Sequence, residues 1–472
     1  MGKAGNERKK KKRKLQQQQQ LQQQQQELQQ KQGQDGIDPL DLEITMEVLT
    51  QMMQSTGVDD EATPLWKRKE YKPLRTKIYS LYSMMSNQTG TGKTLCGRVS
   101  EALLNGDYLQ ARHLLEEMQH RQITPKLGSL QRWVRECDAA FGVTNDVQTS
   151  TEEQENVLRC LDAMIRCTQN DIVKIANADQ KSRPLINRYP DWCPTSSSAS
   201  LSCTGNESLN GSTVSGDETD FEGKFREVFR EKGSDRRPQN KHDAVIYQSS
   251  PNTVPLCTLS KDSIIKKHDV PHVPGCFVLT DVLSPTECKQ IIAAAEAIKF
   301  MPDEPIEHSE SGRSTLAHNV FWLADSELNT TIYDRCKAFL PDSLGLNARW
   351  RVYRYEKGAV YRPHIDGAWP GSGLDSNGKY VYDMYGDRKS KMTFLIRLND
   401  DFEGGATTYY VPAPELGFMN ARAVSTPKGS VVCFPHGDAQ GSLLHEGSEV
   451  LKGYKYVIRT DVLYYNDDRD QT

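Results

Sequence analysis

Three residues of this chain have the types and the spacing to hold a metal ion: His364, Asp366 and His445. His364 and Asp366 close the stretch Tyr-Arg-Tyr-Glu-Lys-Gly-Ala-Val-Tyr-Arg-Pro-His-Ile-Asp, which runs from Tyr353 to Asp366. On a β-strand, residues i and i+2 share a face, so the imidazole and the carboxylate reach one ion together while Ile365 points into the core. A second imidazole is needed, and His445 is the best candidate. Two imidazoles and one carboxylate on one face of an ion suit non-haem Fe(II) and leave positions open for a co-substrate and oxygen. His-x-Asp alone is a weak motif. A second copy, His436-Gly437-Asp438, makes His436 a rival for the distal position.

The surroundings separate the two copies. Between Asp366 and His445 lie Lys391-Met-Thr-Phe-Leu-Ile-Arg-Leu, Gly405-Ala-Thr-Thr-Tyr-Tyr and Pro427-Lys-Gly-Ser-Val-Val-Cys-Phe, β-rich runs divided by Gly and Asn/Asp turns. A small antiparallel barrel has this pattern. The second copy has no such run between it and a further histidine. After His445, the residues Lys455, Val457, Arg459 and Asp461 share one face of a final strand.

With Tyr355, His364-x-Asp366, the Leu398-Asn-Asp turn, Gly404-Gly405-x-Thr407, Pro427-x-Gly429, His445 and Lys455 in order, residues ~270 to 466 resemble the prolyl 4-hydroxylase-like group of the Fe(II)/2-oxoglutarate-dependent dioxygenases. The resemblance implies a double-stranded β-helix (jelly roll) with flanking helices. It implies His364, Asp366 and His445 as iron ligands, Lys455 as the residue that binds the far carboxylate of 2-oxoglutarate, and Tyr355 as its hydrogen-bonding neighbour. Fe(II), 2-oxoglutarate, O2 and L-ascorbate are the implied cofactors, and the carboxylate of Asp366 favours hydroxylation over halogenation. Arg459 stays open: it assists or substitutes for Lys455, or pairs structurally with Asp461. The long loop Gly367 to Lys389, with Trp369, Tyr380, Tyr382 and Tyr385, reads as a substrate lid.

The elements that position this site are α+β in class: a jelly-roll domain over 253–468, preceded by a mostly helical region and disordered segments. The length of 472 residues suggests two or three domains. Hydrophobic content of 36% and a mean hydropathy of −0.67 are low for one globule. Residues 1–36, with a basic cluster Arg8 to Lys14 and a glutamine tract, read as a disordered tail. Residues 37–175 read as helical: a short helix near Leu40 to Met52, one through Leu74 to Met85, and one after a capping box at Ser150. Within them, Ala102 to Pro125 resembles one pentatricopeptide repeat. One unit cannot bury a solenoid core, so an ordinary helical hairpin is expected. Thr89-Gly-Thr-Gly-Lys-Thr lacks the earlier Gly of a phosphate-binding loop and reads as a flexible loop. Residues 176–252, rich in Ser, Asn and Asp, read as a linker. Ser284-Pro-Thr-Glu opens a helix flanking the barrel, and residues 325 to 339 form a second.

No apolar h-region begins the chain and no run of 18 apolar residues occurs, so neither a secretory signal nor a membrane span is expected. Eleven cysteines without paired spacing suit reduced thiols in a cytoplasmic or nuclear protein. The leading expectation is hydroxylation of a protein side chain, prolyl first. An oxygenase of nucleic acid or a small molecule, and a non-enzymatic interaction protein with an inactive barrel, are the alternatives. Oligomeric state has no readable signal.

Overall fold

The chain folds so that the ligand-bearing strands lie between a helical layer and a large sheet. The computed structural model describes residues 94–140, 152–168, 184–194, 221–236, 239–257, 264–305 and 317–466, with isolated positions before 94. The basic cluster, the glutamine tract, the helices expected near 40–52 and 74–85 and the capping box at Ser150 lie outside them, as do residues 89–93. The chain divides into two units, Met1–Gly92 and Lys93–Thr472, and the second holds the helices, the sheets and the ligand-bearing strands.

Four helices come first: α1 (Leu95–Leu104), α2 (Tyr108–His120), α3 (Leu127–Ala140) and α4 (Glu152–Arg166). Thr94 caps α1 by accepting from Gly97 N, and Asp107 caps α2 by accepting from Gln110 N. The repeat-like stretch is therefore the hairpin of α1 and α2. On α2, Ala111, Leu114, Leu115 and Met118 are buried at helical spacing and join Trp133, Val134, Leu161 and Met164 in one core. That core also contains Ile365, Tyr410, Phe418 and Leu444 from the β-region, so the helices and the site share an interior.

The larger sheet orders its strands as Phe225–Glu231, Ala244–Ser249, His318–Leu323, Arg349–Tyr355, Lys455–Tyr465, Arg388–Arg397, Val431–Pro435, Phe277–Thr280 and Lys266–Asp269, with Gly345–Leu346 beside Lys455–Tyr465. The smaller sheet runs Ile186–Arg188, Met419–Val424, Thr407–Pro412, Leu444–Gly447 and Tyr361–His364. Period-two alternation divides the faces. Ile458 and Val462 bury against Ile291, Ala294 and Ile332 of two outer helices, while Val457 on the opposite face packs with Tyr353 and Tyr355. Those helices are α5 (Pro285–Ile298) and α6 (Ser326–Cys336). The expected capping box is present: Glu287 N donates to Ser284 Oγ at 3.2 Å and Ser284 N to Glu287 Oε2 at 2.7 Å.

Two expectations need correction. The linker reading of 176–252 does not hold at three places, where Ile186–Arg188, Phe225–Glu231 and Ala244–Ser249 are strands. Composition misled because Phe225–Glu231 is an edge strand, on which exposed charges are normal. The cysteines are not all thiols: nine described ones are free, and Cys257 is disulfide-bonded. The segment expected as a lid contains a short hairpin, Gly373–Leu374 with Tyr380–Val381, and Tyr380 packs on Phe229 and Ile246. Tyr382, Met384 and Tyr385 stay exposed.

Candidate metal centre

Strand pairing assembles the three ligands. His445 on Leu444–Gly447 stands opposite His364 on Tyr361–His364, so both imidazoles leave the same face, with Asp366 two residues further on. One ligand atom from each residue lies within 4.8 Å of the other two. His364 Nε2 is 3.5 Å from Asp366 Oδ1, and His445 Nε2 is 3.7 Å from Asp366 Oδ2.

The rings are held in one tautomer. His364 Nδ1 donates to Arg362 O at 2.7 Å and His445 Nδ1 to Leu443 O at 3.1 Å, which directs both Nε2 lone pairs at the common point. Burial, then His364, pushes the His445 imidazole down to about 4, so it is neutral and can ligate. Burial alone would raise Asp366; the Arg459 guanidinium and the two imidazoles outweigh it and hold the carboxyl well below the usual range. Two imidazoles and one carboxylate at this separation fit a divalent first-row metal.

Around the ligands runs a hydrogen-bonded chain. Thr393 Oγ1 donates to Asp366 Oδ2 at 2.7 Å and lies 2.7 Å from His436 Nδ1, while His436 Nε2 lies 2.7 Å from Ser390 Oγ. Both nitrogens of His436 are thus engaged away from the cluster, and the rival histidine is a supporting residue. Arg459 Nη2 sits 3.4 Å from Asp366 Oδ1 and donates to Asp461 Oδ1 at 3.3 Å.

From the ligands a narrow cleft of about 50 Å³ runs to Lys455 past Tyr361, Thr407 and Val457. Lys455 is opposite Tyr355 across the sheet, with its ammonium 5.2 Å from that ring. It is 5% exposed and donates to Gly405 O at 2.6 Å, with no carboxylate partner among the described residues. Burial and Arg397 push it down to about 7.

Sequence reasoning missed the support that comes from α3. Tyr361–His364 is an edge strand of the smaller sheet, and α3 lies along it. Gln131 Nε2 donates to Ile365 O, between the two ligands, at 2.9 Å. Asp138 receives Arg362 Nε at 3.0 Å and Nη2 at 2.7 Å, gripping the residue whose carbonyl orients His364. Gln131 and Ile365 are 234 positions apart, and no local pattern announces such a contact.

No family model and no curated protein matches the chain. Among solved structures, a viral collagen prolyl hydroxylase from Paramecium bursaria Chlorella virus-1, in its 2OG complex, is 18% identical, with 43% of this chain and 96% of that one covered and a TM-score of 0.28. A Pseudomonas putida prolyl-4-hydroxylase is 13% identical, covering 41% and 94%, with a TM-score of 0.27. A Trichoplax adhaerens prolyl hydroxylase, in complex with a hypoxia inducible factor oxygen degradation domain peptide fragment, is 15% identical, covering 42% and 86%, with a TM-score of 0.27. Likeness at these scores carries no weight for the site, whose chemistry rests on its own geometry.

Proposed function

We propose that this protein is an Fe(II)- and 2-oxoglutarate-dependent dioxygenase that hydroxylates a C–H bond of a protein side chain, prolyl first. The observation that carries the reading is one cleft with a His364/Asp366/His445 cluster at one end and a buried, counter-ion-free Lys455 at the other. A buried ammonium with one carbonyl partner favours an anion, and a dicarboxylic 2-oxo acid would offer one carboxylate to Lys455 and its oxo-acid end to the ligand cluster. We read the two sheets as a double-stranded β-helix, because Arg349–Tyr355, Arg388–Arg397, Val431–Pro435 and Lys455–Tyr465 lie in one sheet and Tyr361–His364, Thr407–Pro412, Met419–Val424 and Leu444–Gly447, which come between them in the chain, in the other.

When bound, iron and 2-oxoglutarate supply oxygen activation and C–H hydroxylation, with release of succinate and carbon dioxide. The chain's residues aim that chemistry. His364, Asp366 and His445 hold the metal on one face. Lys455 takes the far carboxylate and Tyr355 hydrogen-bonds it. Arg459 holds Asp366 and Asp461 in place, so we assign it to ligand support and not to the co-substrate. Thr393 and His436 keep Asp366 oriented. Ascorbate as a reductant, and a cytoplasmic or nuclear location, follow only from the resemblance and the sequence. Among the described residues, no helix is long and apolar enough to cross a membrane.

A nucleic-acid or small-molecule substrate is the second reading; an inactive barrel fits poorly with a complete ligand set. The deciding experiment loads the full chain anaerobically with Fe(II), adds 2-oxoglutarate and ascorbate, admits oxygen, and compares succinate with a His364→Ala control. Succinate above the control is expected. Absence of iron binding, 2-oxoglutarate binding and succinate together would end the dioxygenase reading.

A further inference from the structure

The strand that lines the metal cleft through Tyr353 and Tyr355 carries, outside that lining, an arginine beside an indole N–H that has no acceptor among the described residues. On the strand Arg349–Tyr355, alternation puts Arg349, Arg351, Tyr353 and Tyr355 on one face, and Tyr353 and Tyr355 line the cleft. Arg351 stands opposite Arg459, the residue that touches the Asp366 carboxylate. Arg349 is two positions further along the strand, roughly 7 Å away.

Its guanidinium is stacked between two rings, 4.7 Å from the centroid of Phe321 and 5.0 Å from that of Trp369. It makes no side-chain hydrogen bond or ion pair among the described residues. The nearby carboxylate, Asp461, is taken by Arg459 at 3.3 Å. Contact with the rings leaves the in-plane N–H donors of the guanidinium without a protein acceptor among the described residues. Arg349 is half-buried, and because an arginine keeps its charge, its guanidinium stands ready to pair with an anion that reaches its exposed edge. The second observation is independent: Trp369 Nε1 is also buried without an acceptor. Trp369 lies three residues after Asp366, with Tyr382 of the lid hairpin 6.1 Å away.

We propose that Arg349 and the indole N–H of Trp369 form a subsite for a carboxylate of the substrate. The hydroxylated polypeptide then carries an aspartate or glutamate near its target residue. At about 3.3 Å per extended residue, a span of roughly 7 Å places that acid about two residues from the target. The subsite rests on the dioxygenase reading for its substrate. It discriminates acid from amide, because an asparagine or glutamine offers the guanidinium one acceptor oxygen and no counter-charge.

The test uses the full chain loaded with Mn(II), an inert stand-in for Fe(II), and 2-oxoglutarate under argon. The probe is a bead library of proline-centred peptides with Asp, Glu, Asn, Gln and neutral residues randomised at four flanking positions. Acidic residues enriched about tenfold over their amides at one position are expected, with the enrichment lost in Arg349→Gln, largely kept in Arg349→Lys, and reduced several-fold in Trp369→Phe. Trp369→Phe keeps the ring that stacks on Arg349 and removes only the N–H, so it decides the matter if Arg349→Gln does not fold. No acidic enrichment by the wild-type chain, or the same enrichment in Arg349→Gln or Trp369→Phe, overturns the subsite. Iron binding, 2-oxoglutarate binding and substrate-free succinate by the wild-type chain separate the two ideas: if any of them is present and acidic enrichment absent, only the subsite fails, and if all three are absent, the parent reading fails.

Discussion

Replacing Asp138 on α3 with asparagine should weaken metal binding, although no atom of Asp138 approaches the metal position. Arg362 and Asp138 share two charge-assisted hydrogen bonds of 3.0 and 2.7 Å, and their side chains are 14% and 7% exposed. The variant removes the charge and one of the two acceptors, leaving a mostly buried guanidinium without its acidic partner on the helix. After allowance for the partly exposed edge, the cost is about 2 kcal/mol. The disturbance reaches the ligand directly, since Arg362 O accepts the Nδ1–H of His364 at 2.7 Å. Residues that orient metal ligands in this way typically change affinity 10- to 100-fold, and one step of removal sets the expectation at about tenfold. The assay is equilibrium titration of metal-free full chain with Co(II), following its visible absorption, with thermal unfolding in parallel. A charge exchange, Asp138→Arg with Arg362→Asp, should recover part of the affinity. Asp138→Asn with wild-type affinity and an unchanged Co(II) spectrum, even at lower stability, would show that α3 is only a scaffold and refute the reasoning.

Three further outcomes are expected. Lys455→Met should raise the 2-oxoglutarate dissociation constant at least tenfold while leaving Co(II) affinity near wild type; and because the free ammonium titrates at about 7, wild-type affinity should fall as pH rises above 7, with proton uptake on binding seen by calorimetry in buffers of different ionisation enthalpy. Gly405, at φ +65°, is disfavoured for a side chain, and a Cβ there would lie 3.1 Å from Lys455 Cδ and push it by a few tenths of an ångström; Gly405→Ala should raise the KM for 2-oxoglutarate several-fold more than it changes metal affinity. The metal-free protein should lose stability in mild acid, because burial pushes His436 down to about 3 and His445 to about 4 in the folded state. Both lie below the unfolded value near 6.5, so the unfolded chain binds more protons; the contribution is present above pH ~6.5 and is lost as pH falls toward 4, by up to about 1.4 kcal/mol per pH unit for each histidine. Chemical denaturation at pH 7 and pH 5 measures this, and His436→Gln should flatten the dependence.

How far the sequence reached depended on the range of the interactions involved. The pair His364 and Asp366, the common face of Lys455, Val457, Arg459 and Asp461, and the cap at Ser284 all follow from two- or three-residue periodicities that the backbone enforces wherever the chain goes. Order along the chain then sufficed to nominate His445. It could not exclude His436, because that choice turns on which strand lies beside Tyr361–His364, a contact between distant segments. Nor could it resolve Arg459, whose two carboxylate neighbours come from its own strand and from the ligand stretch. The strands inside 176–252 were hidden because a short polar segment becomes a strand when a sheet edge offers it a partner. The largest gap was α3: its helical pattern was legible, but its placement against the ligand strand was not, since Gln131 and Asp138 meet residues more than 220 positions away. Local periodicity determined which groups share a face, while only tertiary packing decided which faces meet, because that choice is made by burial and hydrogen-bond satisfaction summed over the whole chain.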